Sequence, residues 1–279
     1  MKFVNLVCCH KESNFPTGSC YMPIHVGKAI SALSLPMAGD DVGDNISYKN
    51  LSYCELTGVY WAWKNLKSVD VIGLCHYRRY FDFHRNVPLG FPDKTFSNDL
   101  FHQIDLTIPD EDIRKVKDGG IILSKRVNFR MNLMLQYCMC HISDDYKILS
   151  KIIHETQDND MVKAFDEVML NTNRLSPYNM FIMSWKEFDL YCNWLFSVLS
   201  LVEKEVNIEH YTPAQARIFG YMGERLLNVW VKARNLDVIY KPVIFFDNQG
   251  DSYKSRSIIK YKLRSFLNFL SCIFQRYRF

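Results

Sequence analysis

The sequence has no long apolar run. Nowhere in its 279 residues is there a stretch of about 18 uncharged apolar residues, the length that a membrane-spanning helix requires. The opening segment, Met1-Lys2-Phe3-Val4-Asn5, passes directly into a strand-like run without the apolar core or cleavage site of a secretory signal. We therefore expect a protein that does not span a bilayer and that resides in the cytoplasm.

Paired cysteine motifs are also absent. The nine cysteines include no CxxC pair, so their spacing gives no support to a zinc site. Their number is odd, and most lie in apolar runs such as Leu6–Cys9 and Gly73–Cys75. This pattern predicts reduced, buried thiols, as in a cytosolic protein.

Acidic residues are missing from residues 254–279, which contain seven Lys or Arg side chains. The net charge of the whole chain is +4, so subtracting these seven leaves −3 for residues 1–253. A mildly acidic body with one basic end argues against a nucleic-acid-binding protein, which needs basic residues over its binding face.

The basic tail, residues 251–279, also carries apolar side chains along one helical face, among them Ile258, Leu263 and Phe266. A basic amphipathic helix is typical of an interfacial anchor, so we expect the tail to bind the inner face of the plasma membrane peripherally. The alternative is a terminal helix packed on the domain. No repeat or linker divides the rest, which predicts one catalytic domain over residues 1–250.

The pattern of apolar residues along the chain favours an α/β fold. Short apolar runs predict buried strands at Phe3–Cys9 and Val69–Cys75, with a helix between them at Tyr48–Leu66 that has Ser47 as its N-cap. This order predicts a parallel pair of strands. Further strands are predicted at Ile121–Ser124, Tyr178–Met183 and Val238–Phe246, further helices at about 131–140, 144–156, 160–170, 184–202 and 213–234, and an irregular loop or lid at 82–118.

A polar cluster lies just before the first long predicted helix. A helix N-terminus favours an anion such as phosphate, and carboxylates there could hold a divalent metal or ribose hydroxyls. The alternative is a capped helix after a flexible loop. The candidate donor-binding residues of this cluster are Asp41, Asp44, Asn45, Ser47 and Asn50. Two further donor-binding candidates, His10 and Lys11, follow the first strand.

The second cluster follows the strand Val69–Cys75 and reads His76-Tyr77-Arg78-Arg79. Ligands of α/β proteins bind at the carboxyl ends of the strands, and guanidinium groups suit phosphate recognition. Arg78 and Arg79 are therefore predicted to neutralise a leaving diphosphate, with His76 beside the donor. An ion-paired, structural Arg pair is the alternative.

Two later segments supply candidates for the acceptor side. Tyr178 and Asn179 stand at the mouth of a predicted strand, where they could stack on and hydrogen-bond to a sugar, although they could equally be ordinary strand-entry residues. Glu224 begins an apolar helical run and could act as a general base toward an acceptor hydroxyl. The alternative for Glu224 is a first-turn acid that the helix dipole favours.

Taken in chain order, several segments resemble one family: small bacterial glycosyltransferases of capsular-polysaccharide and exopolysaccharide synthesis, long catalogued as a domain of unknown function. The resemblance covers about residues 1–246. The segments that carry it are Asp44–Ser47 with Asn50, Cys54–Thr57, Tyr60–Asn65, Gly73–Phe81, Tyr178–Phe181, Tyr191–Phe196 and Glu224–Leu226.

This resemblance implies a GT-A-like fold, a Rossmann-type α/β sandwich with a mostly parallel central sheet. It implies transfer of a sugar, galactofuranose or another hexose, from a UDP-sugar to a lipid-linked glycan acceptor in capsule or O-antigen synthesis. Glu224 lies where inverting members often place their base. GT-A enzymes commonly bind manganese or magnesium at an Asp-x-Asp, but this strand end carries His76 to Arg79 instead, so no metal site is predicted and a metal requirement stays open.

Two other functions compete with this one. A sugar-phosphate transferase or a nucleotide-sugar hydrolase would use the same donor site, and donor turnover with and without acceptor separates them from a glycosyltransferase. A non-catalytic membrane adaptor of a polysaccharide assembly complex would not depend on the Arg pair at all.

Overall fold

The computed structural model describes residues 1–247 and, beyond them, only Leu267 and Leu270. Apart from those two positions, the predicted membrane-binding tail at residues 251–279 lies outside the described residues. Within the described part, no helix is long and apolar enough to cross a membrane.

Residues 1–247 form twelve β-strands and eight α-helices. The strands are β1 Phe3–Cys9, β2 Tyr21–His25, β3 Ala38–Gly39, β4 Val71–His76, β5 Arg79–Phe81, β6 Asp93–Ser97, β7 Gly120–Ser124, β8 Val127–Asn128, β9 Arg174–Leu175, β10 Phe181–Ser184, β11 Asp237–Lys241 and β12 Val243–Asp247. The helices are α1 Asn50–Tyr53, α2 Leu56–Asn65, α3 Asp110–Lys117, α4 Leu133–Cys140, α5 Ser143–Thr156, α6 Asn159–Asn171, α7 Trp185–Glu205 and α8 Ile218–Ala233.

The main sheet has the strand order β11-β7-β10-β4-β1-β2-β3. Adjacent strands of this sheet are parallel, except that β10 runs antiparallel to both β4 and β7. Beyond β4, β5 leads to β12, which pairs parallel with β6. The predicted α/β fold with a mostly parallel central sheet is confirmed.

Both faces of the central strands are buried. Along β1, Leu6 and Cys8 join the larger apolar cluster, which includes α2 and helices α4 to α8, whereas Val7 and Cys9 join a second cluster on the opposite face. Successive side chains of a strand point to opposite faces, so a strand covered on both sides must be apolar throughout. For this reason the buried strands stood out in the sequence as continuous apolar runs.

The predicted helix over Tyr48–Leu66 is interrupted. Cys54 adopts a φ of 53°, which ends α1, and α2 begins directly after Glu55. The Asn50 side-chain amide donates to the Cys54 carbonyl at 2.7 Å and so satisfies a backbone group that the break leaves open. The prediction of Ser47 as helix N-cap is wrong: its hydroxyl donates to the buried Asp40 carboxylate and accepts from the Ala29 N–H at 3.0 Å.

Two segments outside the predicted strands and helices contain regular structure. The 82–118 segment holds β6, a 3-10 helix at Asn98–Gln103 and α3. The segment before Ser47 holds β2 and β3. These elements are short, and α3 buries only Ile113 and Val116 among charged residues, so no strong apolar periodicity marks them.

Helix α2 lies close to the sheet at Gly58, and a substitution there tests this packing. A Cβ at this position would stand 2.8 Å from Val26 Cγ1 and 3.1 Å from Cys8 Sγ. Gly58→Ala should therefore lower stability by about 1–3 kcal/mol through overpacking, although Ala normally favours a helix over Gly. Thermal unfolding measures the effect, with Gly18→Ala as control because its Cβ would make only ordinary contacts, with the Tyr21 ring at 3.4 Å and Cys20 Sγ at 4.0 Å. A Gly58→Ala protein as stable as the control variant would contradict the close packing.

Candidate functional site

Several of the predicted site residues lie at one edge of the sheet. His10 and Lys11 follow the carboxyl end of β1, and Tyr77 and Arg78 follow that of β4. Because β10 is antiparallel to β4, its preceding residues Tyr178 and Asn179 reach the same edge. Ligands of such sheets bind where the strands end.

A group of cationic side chains surrounds His10. Burial lowers the pKa of His10, and the positive charges of Lys11, Arg78 and Arg217 lower it further. The His10 and Tyr77 ring centres are 5.2 Å apart, and the Lys11 ammonium and Arg78 guanidinium lie 5.6 and 5.5 Å from the Tyr77 ring. We refer to His10, Lys11, Arg78 and Arg217 as the cation cluster. Its charge and its place at the strand ends suit a phosphate-bearing ligand.

An open cleft of about 580 Å³ adjoins the cation cluster. Its lining includes Lys11, Asn14, Tyr77, Arg78 and Asn98. This volume lies in the range of small-molecule sites. A second cleft of about 490 Å³, between residues 15–21 and 101–113, lies at the opposite, amino ends of β1 and β2 and contains none of the predicted site residues.

The two adjacent arginines do not share one environment. Arg78 lines the cleft, whereas the Arg79 guanidinium lies 5.1 Å from the Tyr178 ring and 5.4 Å from the Phe245 ring. Burial lowers the pKa of Arg79, and the charge of Arg78 adds to this, yet an arginine remains protonated at neutral pH. The pair is therefore divided between the cleft and the interior beside Tyr178.

Tyr178 and Asn179 form a left-handed turn, with φ values of 79° and 54°. Non-glycine residues adopt such angles at an energetic cost and only when their surroundings hold them. Here the Glu224 carboxylate accepts from the Tyr178 N–H at 2.5 Å, and His76 Nε2 donates to the Tyr178 carbonyl at 2.7 Å. The predicted strand over Tyr178–Met183 consequently begins only at Phe181.

The Asn179 side chain connects this turn to two helices. It is 2% exposed, and its amide donates to Glu55 Oε1 at 2.6 Å and to the Gly220 carbonyl at 3.1 Å. Glu55 precedes α2, and Gly220 belongs to α8. We refer to Glu55, His76, Tyr178, Asn179 and Glu224 as the turn network.

Both carboxylate oxygens of Glu224 already accept hydrogen bonds, from the Tyr178 N–H and from Arg225 Nη1 at 3.0 Å. Arg225 is 3% exposed and also donates to Gln136 at 2.6 Å. Burial raises the pKa of Glu224, while Arg225 and the Tyr178 N–H oppose that rise. Glu224 is thus part of a half-buried, hydrogen-bonded ion pair as well as of the turn network.

The polar side chains of the loop before α1 mainly make hydrogen bonds that stabilise the loop and its contacts with the neighbouring helices. Asn45 accepts from the Ser47 N–H, and Asn50 donates to the Cys54 carbonyl. Asp41 and Asp44 are exposed, and Asp44 accepts from the Tyr60 hydroxyl at 3.1 Å. Within residues 1–247, the five candidates of this loop (Asp41, Asp44, Asn45, Ser47 and Asn50) make no hydrogen bond to the cation cluster.

A divalent metal would need several oxygen ligands at one point. In the described part of the chain, no three His, Cys, Asp or Glu side chains are grouped in that way. The cleft at the strand ends is lined by two cations, Lys11 and Arg78, and by two carboxylates, Glu12 and Asp247. Two carboxylates beside two cations do not provide the group of ligands that the manganese or magnesium implied by a GT-A-like fold would need.

Sequence patterns did not single out three residues of this region as separate site residues: Glu55, Arg217 and Arg225. Glu55 lay inside a helix predicted as continuous, and Arg225 lay in an apolar helical run. Arg217 belongs to a 3-10 helix, Gln215–Arg217, where its Nε donates to Cys54 Sγ at 3.2 Å. The positive φ of Cys54, which no residue pattern predicts, separates Glu55 from α1, and the contact of Arg217 with Cys54 joins residues far apart in the chain.

Comparison with known proteins agrees with this architecture. Residues 5–235 match a family described as a domain of unknown function, DUF4422. The chain belongs to the DUF4422 family. The predicted resemblance to a family catalogued in this way is confirmed, whereas its assignment to capsular polysaccharide stays a prediction.

A solved structure is also similar: the apo form of WbbM, described as a bifunctional glycosyltransferase. The two share 27% sequence identity with a TM-score of 0.77. The match covers 92% of this chain but 48% of WbbM, so the chain spans about half the length of that protein. No curated protein sequence matches the chain. The likeness confirms the predicted Rossmann-like glycosyltransferase fold.

Asn179→Asp tests the turn network. The new carboxylate would face Glu55 Oε1 and the Gly220 carbonyl, where the amide now donates. An unpaired buried charge costs about 3–5 kcal/mol, so the melting temperature at about pH 8 should fall well below that of the wild type. Protonation removes the charge, so the difference should shrink toward about pH 5.

Thermal unfolding at both pH values measures this effect. Asn235→Asp is the control, because Asn235 also has a positive φ of 49° but is exposed. Equal losses of stability in the two variants would contradict the role of Asn179.

Proposed function

We propose that this chain is a glycosyltransferase that uses a nucleotide-sugar donor. The observation that carries the proposal is the convergence of Lys11, Arg78 and Arg217 around His10, beside a cleft of about 580 Å³ at the strand ends. The similarity to WbbM over 92% of the chain supports it, since that protein is described as a glycosyltransferase.

In this proposal the cation cluster binds the donor diphosphate. Negative charge develops on the diphosphate as it leaves the sugar, and fixed positive side chains stabilise that charge. The planar guanidinium groups of Arg78 and Arg217 suit bidentate hydrogen bonds to the diphosphate oxygens. The nucleoside would occupy the adjoining cleft. UDP is the nucleotide we propose, with galactofuranose or another hexose as the sugar.

The acceptor side of the proposed site is the turn network. Tyr178 and Asn179 lie across Arg79 from the cation cluster, and the carboxylates of Glu55 and Glu224 lie beside them. An acceptor hydroxyl would attack the anomeric carbon as its bond to the diphosphate oxygen breaks, and a carboxylate would take the hydroxyl proton. Attack opposite the leaving group inverts the anomeric centre. The sequence predicts Glu224 as that carboxylate, and this assignment is still a prediction.

The acceptor we propose is a lipid-linked glycan of capsule or O-antigen synthesis. Such acceptors reside in the membrane, which would give the basic tail at residues 251–279 a function as a peripheral anchor. This part of the proposal rests on the sequence pattern of the tail and on the family resemblance of residues 1–246.

Calorimetric titration of UDP in EDTA tests the donor site. We expect binding without added metal, because side-chain cations can neutralise the diphosphate. Arg78→Ala and Arg217→Ala should each weaken UDP binding by about 10- to 100-fold, the loss of one or two charge-assisted hydrogen bonds. Arg79→Ala should change affinity far less, because its guanidinium packs between the Tyr178 and Phe245 rings.

Lys147→Ala serves as the control, since Lys147 is an exposed cation on α5 that pairs with Asp144. UDP binding only with manganese would move the diphosphate to carboxylates such as Asp41 and Asp44. Absence of UDP binding under both conditions would contradict the proposed nucleotide and favour a non-catalytic adaptor.

His10 predicts a proton linkage. Burial and its cationic neighbours lower the pKa of His10, so the free protein carries it mainly neutral at neutral pH. A bound diphosphate would raise that pKa, so UDP binding at about pH 6 should take up a proton and tighten as pH falls. Calorimetry in buffers of different ionisation enthalpy measures the uptake. His10→Gln should abolish it, and unchanged uptake in that variant would exclude His10 from the diphosphate site.

A further inference from the structure

Two carboxylates flank Asn179 from different helices. Glu55 directly precedes α2, and Glu224 lies in the second turn of α8. They are close enough to interact, because the charge of Glu55 adds to the effect of burial in raising the pKa of Glu224. Paired carboxylates in one site commonly divide two tasks between them.

Glu224 has the more rigid surroundings. The Tyr178 N–H occupies one of its oxygens and Arg225 the other, at 2.5 and 3.0 Å. Arg225 is itself fixed by Gln136 and by the Tyr221 carbonyl. These contacts hold the turn and the start of β10 in place, so the carboxylate serves the fold in its ionised form.

One carboxylate oxygen of Glu55 accepts a hydrogen bond, and the other is available to a ligand. Oε1 accepts from Asn179 at 2.6 Å, whereas Oε2 has no hydrogen-bond partner among residues 1–247, and the side chain is only half-buried. The single anchor fixes the direction of the carboxylate and leaves the second oxygen open to a ligand. A general base needs such a free oxygen within hydrogen-bond reach of the proton that it accepts.

The position of Glu55 also fits the chemistry. Its charge acts on His76 and Arg79 of the strand end and on Arg217 of the cation cluster. The kink at Cys54 brings it there, and Gly58 lets the following turn of α2 lie directly on Cys8 and Val26 of the sheet. The carboxylate therefore stands between the proposed diphosphate site and the Tyr178–Asn179 turn.

We infer that Glu55 is the proton acceptor for the sugar acceptor's hydroxyl, and that Glu224 is a positioning residue that holds the Tyr178–Asn179 turn. This inference rests on the proposed glycosyl transfer. The hydroxyl oxygen forms a bond to the anomeric carbon, and the bond from that carbon to the diphosphate oxygen breaks. The electron pair of the broken bond leaves with the nucleoside diphosphate, and the proton passes to Glu55 Oε2.

The experiment uses the full chain with UDP-galactofuranose, UDP-galactose and UDP-glucose as donors, and measures release of UDP with water or a glycan as acceptor. Glu55→Gln keeps an oxygen that can accept from Asn179, so its melting temperature and its affinity for UDP should stay close to those of the wild type. Its kcat should fall by about 100-fold or more, the usual contribution of a general base.

Two further variants separate chemistry from positioning. Glu224→Gln places an amide against the Arg225 guanidinium, so we expect a lower melting temperature and a raised KM, with a smaller loss of kcat than in Glu55→Gln. Sodium formate, a small carboxylate base, should restore activity at least about tenfold in Glu55→Ala and not in Glu224→Ala. Glu203→Gln, which alters the ion pair between α7 and Lys49, should retain wild-type kcat.

The outcomes distinguish this inference from the proposed function. UDP release by the wild type with kcat retained within about threefold in Glu55→Gln would overturn the role of Glu55 and leave the transferase proposal standing. Restoration of Glu224→Ala by formate, without restoration of Glu55→Ala, would overturn that role equally. No UDP release by the wild type from any of the three donors, despite UDP binding, would overturn the transferase proposal and this inference with it.

Discussion

The left-handed turn at Tyr178 and Asn179 joins the parts of the molecule that must meet at the site. Through it, β10 enters the sheet antiparallel to β4, and three side chains from other elements hold it: His76 from β4, Glu55 from the start of α2 and Glu224 from α8. Two successive residues with positive φ are unfavourable by themselves, so their hydrogen bonds must stabilise them. The site therefore forms only when α2 and α8 pack against the sheet.

A separation of charge follows from this geometry. The cations of Lys11, Arg78 and Arg217 lie near His10, where β1 and β4 end, and the carboxylates of Glu55 and Glu224 lie around the turn. Arg79 lies between the two groups, against aromatic rings. The proposed displacement at a sugar carbon needs positive charge toward the leaving diphosphate and a carboxylate toward the attacking hydroxyl, and the proposal assigns these two tasks to the two groups.

The similarity to WbbM is clear in fold but limited in extent. It covers nearly all of this chain and about half of a protein described as bifunctional. Membership of DUF4422 over residues 5–235 shows that the match includes the strands, α2 and α8 that carry the cation cluster and the turn network. The candidate site thus lies within the region that the family shares.

The sequence by itself determined the α/β class, because strands buried on both faces must be apolar throughout and the runs at β1, β4 and β7 show this directly. It also placed His10, Arg78 and Asn179 at strand ends, since local pattern locates those ends. Tertiary structure alone decided which groups meet. The break at Cys54 set the position of Glu55, the contact with Cys54 placed Arg217 beside it, and the antiparallel strand β10 brought Tyr178 to His76. The division between Arg78 and Arg79 followed from packing. Each depends on contacts between residues distant in the chain, which no local pattern encodes.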